Sequence, residues 1–300
     1  MEKRKLGKSD LHISALSLGC MSLPTDVKKA RPIIEAAIAA GINYFDTADL
    51  YDKGLNEEVI GEILKPYRQD IILATKVGNE WHDNKEGWSW NPSKKHIENG
   101  VKESLRRLQT DYIDVYQLHG GTIDDPWDEI IDTFNGLKKE GVIREYGISS
   151  IRPNVLKRFL PNSDAVSVMM QYSILDRRPE EWFDWITTQG ASVVSRGTLA
   201  KGLLTKEWDV RSEKLNGYME YSVTELKNVL TQLNAKYSDL HTLAIGFNLG
   251  NPAVASTVIG ASSVNQLETS IVAYQLIDQI KDFEPVYSIT NAAYYKEHRD

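Results

Sequence analysis

Residues 13–24 read Ile-Ser-Ala-Leu-Ser-Leu-Gly-Cys-Met-Ser-Leu-Pro. Ile13–Leu18 is a run of strand length, and the residues just after it separate two α/β architectures. An open, doubly wound sheet that binds a dinucleotide carries G-x-G-x-x-G directly after its first strand. Here the chain continues as GCMSLP. That favours the other architecture built from alternating strands and helices, the closed (β/α)8 barrel.

The rest of the chain agrees. Seven further strand candidates come later: Ile42–Phe45, Ile71–Ala74, Tyr112–Leu118, Glu145–Ile148, Ala165–Met170, Ala191–Val194 and Ser256–Ile259. Most are apolar on successive residues, as strands covered on both faces are. Stretches of helical period lie between them. Ile97, Val101, Leu105 and Leu108 form one apolar face, with Glu98 and Lys102 spaced i, i+4 on its solvent side. Ile130, Ile131, Phe134 and Leu137 form another, ended by Lys138, Lys139 and Gly141. Ile33, Ile34, Ala37 and Ile38 form a third, ended by Gly41. Pro32 is awkward there, so that helix starts near Ala30 or is kinked. Glu58–Leu64, Glu181–Thr188, Thr224–Leu233 and Val264–Ala273 complete the helices, while 197–222 is weakly patterned. Gly7–Lys8–Ser9–Asp10 is placed to turn an N-terminal hairpin that plugs the barrel bottom. The expectation is one (β/α)8 TIM-barrel domain over residues 1–300.

Composition sets the outer limits. The 300 residues carry a net charge of −7, with 41% hydrophobic and 26% charged residues, ordinary for a globular protein. A lone cysteine, Cys20, allows neither an intramolecular disulfide nor a multi-cysteine zinc site and fits a reducing, cytoplasmic setting. No apolar run approaches the ~20 residues of a membrane span. The N-terminus, MEKRKLGKSDLHIS, has no apolar h-region, so no signal peptide is expected. A mildly acidic chain without a basic cluster points away from nucleic acid. His12, His82, His96, His119, His241 and His298 are scattered, which speaks against a metal-dependent barrel hydrolase.

In a barrel the chemistry sits where strands end. The second strand runs into Asp46 and Tyr51, the third into Lys76, the fourth into His119, the fifth into Ser149 and Ser150, the sixth into Gln171 and the seventh into Arg196. Each has an ordinary structural reading alone: Asp46 as a helix cap, Tyr51 as packing, Lys76 as a solvated charge, His119 as a core histidine. Their convergence on one rim gives them a joint acid/base reading. A tyrosine of ordinary pKa, about 10, is a sluggish acid. A nearby ammonium eases release of its proton. Lys76 would supply that charge, and Asp46 would offset its burial.

GINYFDTADLY (41–51), ATK (74–76), DYIDVYQLH (111–119), YGISS (146–150), QYSILDR (171–177), AKGLLTKE (200–207) and VIGASSVNQLE (258–268) resemble, in order, the signatures of the aldo-keto reductase family. The resemblance implies a (β/α)8 barrel without metal that reduces a small aldehyde or ketone with NADPH, NADH being left open. It makes Asp46, Tyr51, Lys76 and His119 the catalytic tetrad, with Tyr51 the proton donor.

It also implies cofactor contacts from Gly19, Cys20 and Met21 after the first strand, and from Asp46. Ser149, Ser150 and Gln171 match the contacts to the nicotinamide carboxamide, with Ser150 standing where the family has an amide. After the seventh strand come Arg196, Gly197, Thr198, Leu199 and Lys201. Arg196 replaces the family's stacking aromatic, and a guanidinium plane can stack too. Gly260, Ser262 and Gln266 match the turn and helix start at the adenosine phosphate. Thr269 and Ser270 stand where the family commonly has Glu-Asn, and 260–270 holds no Lys or Arg, which weakens the preference for NADPH.

Trp81 and Trp88, with Trp90, fall in the loop after Lys76 and read either as substrate walls, beside Tyr51 and His119, or as anchors for that loop. A cofactor-bound regulatory or channel-associated subunit on the same fold is the rival to an enzyme.

Overall fold

The computed structural model describes residues 1–82 and 86–300. Eight parallel strands close into a barrel: Leu16–Gly19, Tyr44–Asp46, Ile72–Val77, Ile113–Leu118, Ile143–Ser149, Ser167–Gln171, Ser192–Arg196 and Val254–Gly260. The eighth pairs with the first to complete the ring, Gly260 opposite Gly19. Helices Val27–Ala39, Leu55–Leu64, Lys94–Leu108, Trp127–Glu140, Pro153–Phe159 and Glu180–Thr188 come after the first six strands in turn. Val223–Lys236 and Leu240–Gly250 lie between the seventh and eighth, and Val264–Gln275 comes after the eighth.

Ile13–Leu18 is not one strand. His12–Ser14 pairs antiparallel with Lys3–Lys5, and the barrel strand begins at Leu16. The apolar run is continuous because both pieces are buried, one inside the barrel end and one in its wall. The hairpin does plug the bottom. Leu6, Leu11 and Ile13 join one buried cluster with Tyr44, Ala74, Val115, Met169 and Val194. Gly7 lets its turn seat itself: φ is +53°, and a Cβ there would stand 2.3 Å from the Val166 carbonyl oxygen.

The apolar faces read from the sequence are the buried ones, Ile97, Val101 and Leu108 being fully enclosed. The first helix begins at Val27, three residues before Ala30, because the Asp26 side chain caps it by accepting from the Lys28 amide at 2.8 Å. Pro32 lies within it. Glu98 pairs back to Lys94 at 3.8 Å rather than forward to Lys102.

The period of two along each strand positions the rim. Tyr44 faces the interior, so Asp46 does too; Lys76 follows Ala74, Gln117 follows Val115, Gln171 follows Met169, and Arg196 follows Val194. Each polar side chain continues an inward column of apolar ones.

Candidate active site

Lys76 is the centre of the rim. Its side chain is fully buried, and Nζ donates to Asp46 Oδ2 at 2.6 Å, to the Thr47 carbonyl at 2.6 Å and to the Tyr51 hydroxyl at 3.3 Å. Strand register brings the set together. Asp46 is opposite Ala74, one inward step below Lys76, and Lys76 is opposite Gln117. Gln117 Nε2 donates to the second Asp46 oxygen at 3.2 Å. Burial alone would strip the proton from Lys76, but the Asp46 carboxylate and the Tyr51 hydroxyl hold its pKa above the ordinary value. Burial pushes the Asp46 carboxyl up, with the Lys76 ammonium and the Gln117 amide pulling the other way.

Tyr51 enters from a loop. Its amide bonds the Ala48 carbonyl at 3.1 Å, and the next three residues are left-handed: Asp52 at φ 49°, Lys53 at 55° and Gly54 at 88°. Only Gly54 takes that conformation without strain. Behind it Glu57, fully buried, accepts from Arg107 at 2.7 Å and from the Thr75 hydroxyl at 2.5 Å, so the residue before Lys76 is tied to two outer helices.

His119 completes the group, its ring edge-on to Tyr51 with centroids 6.0 Å apart. Burial, with the Lys76 and Arg196 cations, pushes the imidazole down to about 3. It is therefore neutral at any ordinary pH, and its buried Nδ1 has no partner among the described residues.

The other half of the rim is open. Ser149 and Ser150 are buried at the end of the fifth strand, and the Ser150 hydroxyl accepts the Arg152 amide at 3.3 Å. Gln171 is half-buried, while Arg196 and Gly197 are exposed, the Arg196 guanidinium donating to Gln171 Oε1 at 3.3 Å. Leu199 is half-buried beside them and Lys201 exposed, at φ 58°. Gly19 and the exposed Met21 flank Gly260 at the barrel seam. Ser263 caps the last barrel helix, and Gln266 Oε1 accepts from the amide and hydroxyl of Ser262 at 2.9 and 3.0 Å. The first-turn amides of Val264 and Asn265 are those a helix start leaves open. Two side chains among the expected contacts face inward instead. The Cys20 thiol is fully enclosed, and the Thr198 hydroxyl accepts from Asn248 at 3.0 Å.

The three tryptophans divide. Asn79–Trp81 and Trp88–Trp90 form a two-stranded ribbon with Trp81 opposite Trp88. Trp90 is an anchor: its indole donates to both Asp125 oxygens at 2.9 and 3.0 Å, and its ring lies where a Cβ on Gly78 would be 2.5 Å away. Trp81 donates to the Leu50 carbonyl, beside Tyr51, at 3.2 Å, and Lys53 lies over its ring. Trp88 is half exposed.

Among the described residues, no group of three or more His, Cys, Asp or Glu side chains is placed to hold a metal ion, and no helix is long and apolar enough to cross a membrane.

Comparison with known proteins gives the family. Residues 15–288 match the Aldo/keto reductase family. The solved aldo-keto reductase AKR11C1 from Bacillus halodurans, in a holo form, superposes with a TM-score of 0.93 at 53% identity, covering all of both chains. The uncharacterized oxidoreductase YqkF of Bacillus subtilis (strain 168) is 52% identical over the full length of both chains. L-galactose dehydrogenase of Arabidopsis thaliana is 30% identical, covering 93% of this chain and 90% of that one. The chain belongs to the aldo-keto reductase family and is thereby an NAD(P)H-dependent oxidoreductase.

Proposed function

We propose that the protein reduces small aldehydes or ketones to alcohols with NADPH, Tyr51 donating the proton. The observation that carries this is the buried Lys76 ammonium, fixed between Asp46 and the Tyr51 hydroxyl. The ammonium, 3.3 Å from the Tyr51 oxygen, offsets the negative charge that develops there as the proton is transferred. The neutral His119 imidazole donates a hydrogen bond to the carbonyl oxygen without adding charge, and fixes the substrate beside the Tyr51 hydroxyl. The nicotinamide, when bound, supplies the hydride. Tyr51 passes its proton to the carbonyl oxygen, and the phenolate left behind stays next to Lys76.

The open half of the rim suits a dinucleotide. Ser149, Ser150, Gln171 and Arg196 would hold the nicotinamide end. Gly260, Ser262, Gln266 and the open helix start would hold the adenosine phosphate, with Gly19, Met21, Gly197, Leu199 and Lys201 between. Cys20 and Thr198, whose side chains are engaged inside, would contribute backbone. Trp81 and Trp88 would wall the substrate. In this reading residues 1–300 act as one domain, in the cytoplasm.

A regulatory subunit on the same fold would need the cofactor-facing rim but not the ammonium–phenol contact, and that contact supports the enzyme. Steady-state NADPH oxidation over a panel of aldehydes and ketones tests it. Repeated turnover is expected; tight cofactor binding with no turnover would favour the regulator. Tryptophan fluorescence during NADPH and NADH titration fixes the cofactor.

A further inference from the structure

Gln171 ends the sixth strand opposite Arg196 on the seventh. Its side-chain amide has two N–H donors and one carbonyl acceptor. Both donors are taken from within the chain. One goes to Asp176 Oδ2 at 2.9 Å and the other points at the Met219 sulfur at 3.4 Å. On the oxygen end the exposed Arg196 guanidinium donates to Oε1 at 3.3 Å, which leaves the second acceptor site of that oxygen open. On the nitrogen end the buried partner is Asp176. Its carboxylate is buried, and the Arg178 fork holds both oxygens, Nε to Oδ1 at 2.7 Å and Nη2 to Oδ2 at 2.8 Å. An ionised carboxylate can only accept, so the nitrogen end of Gln171 must turn inward and the oxygen end outward to the rim.

The surroundings hold this arrangement in place. The backbones of Ser173 and Asp176 exchange two hydrogen bonds, at 3.2 and 2.9 Å, closing a tight turn. The buried Tyr295 ring covers the Arg178 guanidinium at 4.9 Å, and Glu181 accepts from the Tyr295 amide and from Arg299. The C-terminal tail therefore fastens the turn from outside. Met219 occupies the left-handed region at φ 53° in a two-residue turn closed by Tyr218 and Tyr221, a strained position that aims its sulfur at Gln171.

We propose that Asp176 is a positioning residue for cofactor recognition. By engaging the nitrogen end of Gln171, it leaves that side chain only its oxygen, shared with Arg196, to offer a ligand, so Gln171 reads a nicotinamide by the NH2 of its carboxamide. The proposal rests on the reading of Gln171 as a nicotinamide contact. A turn staple would need only the Asp176–Arg178 pair. The Gln171 bond and the Met219 contact add a fixed polarity to the rim.

The probe is the pair NADP+ and its 3-acetylpyridine analogue, in which the carboxamide NH2 is replaced by a methyl group. Equilibrium affinities are read from tryptophan fluorescence, without turnover. The wild-type protein is expected to bind the analogue about tenfold more weakly, the usual cost of leaving an acceptor facing a methyl group. In Asp176→Asn the new side chain can donate, only the exposed Arg196 contact is left to favour one orientation of the Gln171 amide, and the gap is expected to close to about twofold. The double variant Asp176→Asn/Arg178→Gln removes both charges together and is expected to give the same narrowed gap, which covers a single variant that leaves Arg178 unpaired and misfolds. Equal affinities in the wild-type protein would overturn the proposal. So would variants that bind both ligands more weakly while keeping the tenfold gap, since that is the signature of a staple. Failure of the wild-type protein to bind NADP+ at all would instead sink the underlying cofactor reading.

Discussion

The two halves of the rim are built on opposite principles. On strands two to four every polar group is buried: Lys76 and Gln117 at 0% exposure and Asp46 at 4%, with Lys76 and Asp46 bonded to each other. On strands six to eight Arg196, Gly197, Gly260 and Ser262 are exposed and Gln171 is half-buried. A buried charge must be partnered within the chain, so the proposed proton machinery is assembled before any ligand arrives. An exposed donor or acceptor has water until a ligand replaces it, so the proposed cofactor half is completed by what binds. Of the departures from the family pattern, Arg196 and Thr269 are exposed on that second half, while Ser150, at the end of the fifth strand, and Ser270, on the last barrel helix, are buried but uncharged. None of the four strands a charge inside the barrel, which a change at Asp46 or Lys76 would do.

The largest effect is expected at the hydroxyl itself. Tyr51→Phe keeps the ring against His119 and removes only the oxygen. Turnover of an aldehyde should fall by about 10²–10⁴-fold, the usual contribution of general acid catalysis. NADPH should still bind. His119→Gln should retain more activity, because an amide can still orient a carbonyl. The reverse ranking, measured as kcat for both variants, would move the acid to His119.

Lys76→Met attacks the same half through its charge. Turnover should again fall by orders of magnitude, but here stability should fall as well. Removing one partner of a buried ion pair costs roughly 3–5 kcal/mol, since Asp46 is left charged without a cation. Asp46→Asn/Lys76→Met should recover the stability and not the turnover. Arg196→Met, on the exposed half, should shift stability by less than about 0.5 kcal/mol. Denaturant unfolding of the three variants decides whether the halves differ as described; a large loss for Arg196→Met would erase the distinction.

A smaller effect concerns pH. The folded-state pKa of His119, about 3, lies below its unfolded value. Between that value and about 6.5 the unfolded chain binds a proton that the folded chain does not. Stability from this residue is therefore complete above about 6.5 and declines as pH falls toward 3. The stability of wild type relative to His119→Gln should decline over that window and be flat above it. A flat difference throughout would mean that the imidazole is protonated in the fold and hence solvated.

Legibility in the sequence divides along the same line. The grouping of Asp46, Tyr51, Lys76 and His119 can be read because strand ends and residue types suffice to bring acids and bases to one rim. Gln117 is equally accessible: it lies two residues before His119, on the inward column set by Val115, and its role in bonding Asp46 comes from strand register. The split between Ser14 and Leu16 is not, because plug and wall are both buried and the apolar run does not break. The helix Leu240–Gly250 escapes a sequence reading for a related reason. It is buried on nearly every residue, so it lacks the polar face that periodicity needs. Asp176 and Arg178 sit in or beside the QYSILDR stretch, but that Asp176 turns an amide depends on a tight turn and a side-chain relay no spacing reveals.

The smallest expected effect tests the ribbon that overhangs the buried half. Trp81 and Trp88 are cross-strand partners, yet only Trp81 is tied to the residue before Tyr51. If the ribbon is a substrate wall, Trp81→Ala should lower kcat/KM for an aromatic aldehyde by about three- to tenfold, the worth of one ring contact of roughly 0.5–1.5 kcal/mol. An aliphatic aldehyde of similar length should lose less. Trp88→Ala, at a half-exposed position, should leave stability within about 0.5 kcal/mol and kcat/KM nearly unchanged. Equal losses for aromatic and aliphatic substrates in Trp81→Ala would assign that indole to holding Leu50, and through it Tyr51, rather than to the substrate. Trp90→Phe separates the two roles further. It keeps a ring over Gly78 and Gly120 but removes the bond to Asp125, so it should lower stability without changing the preference between the two aldehydes.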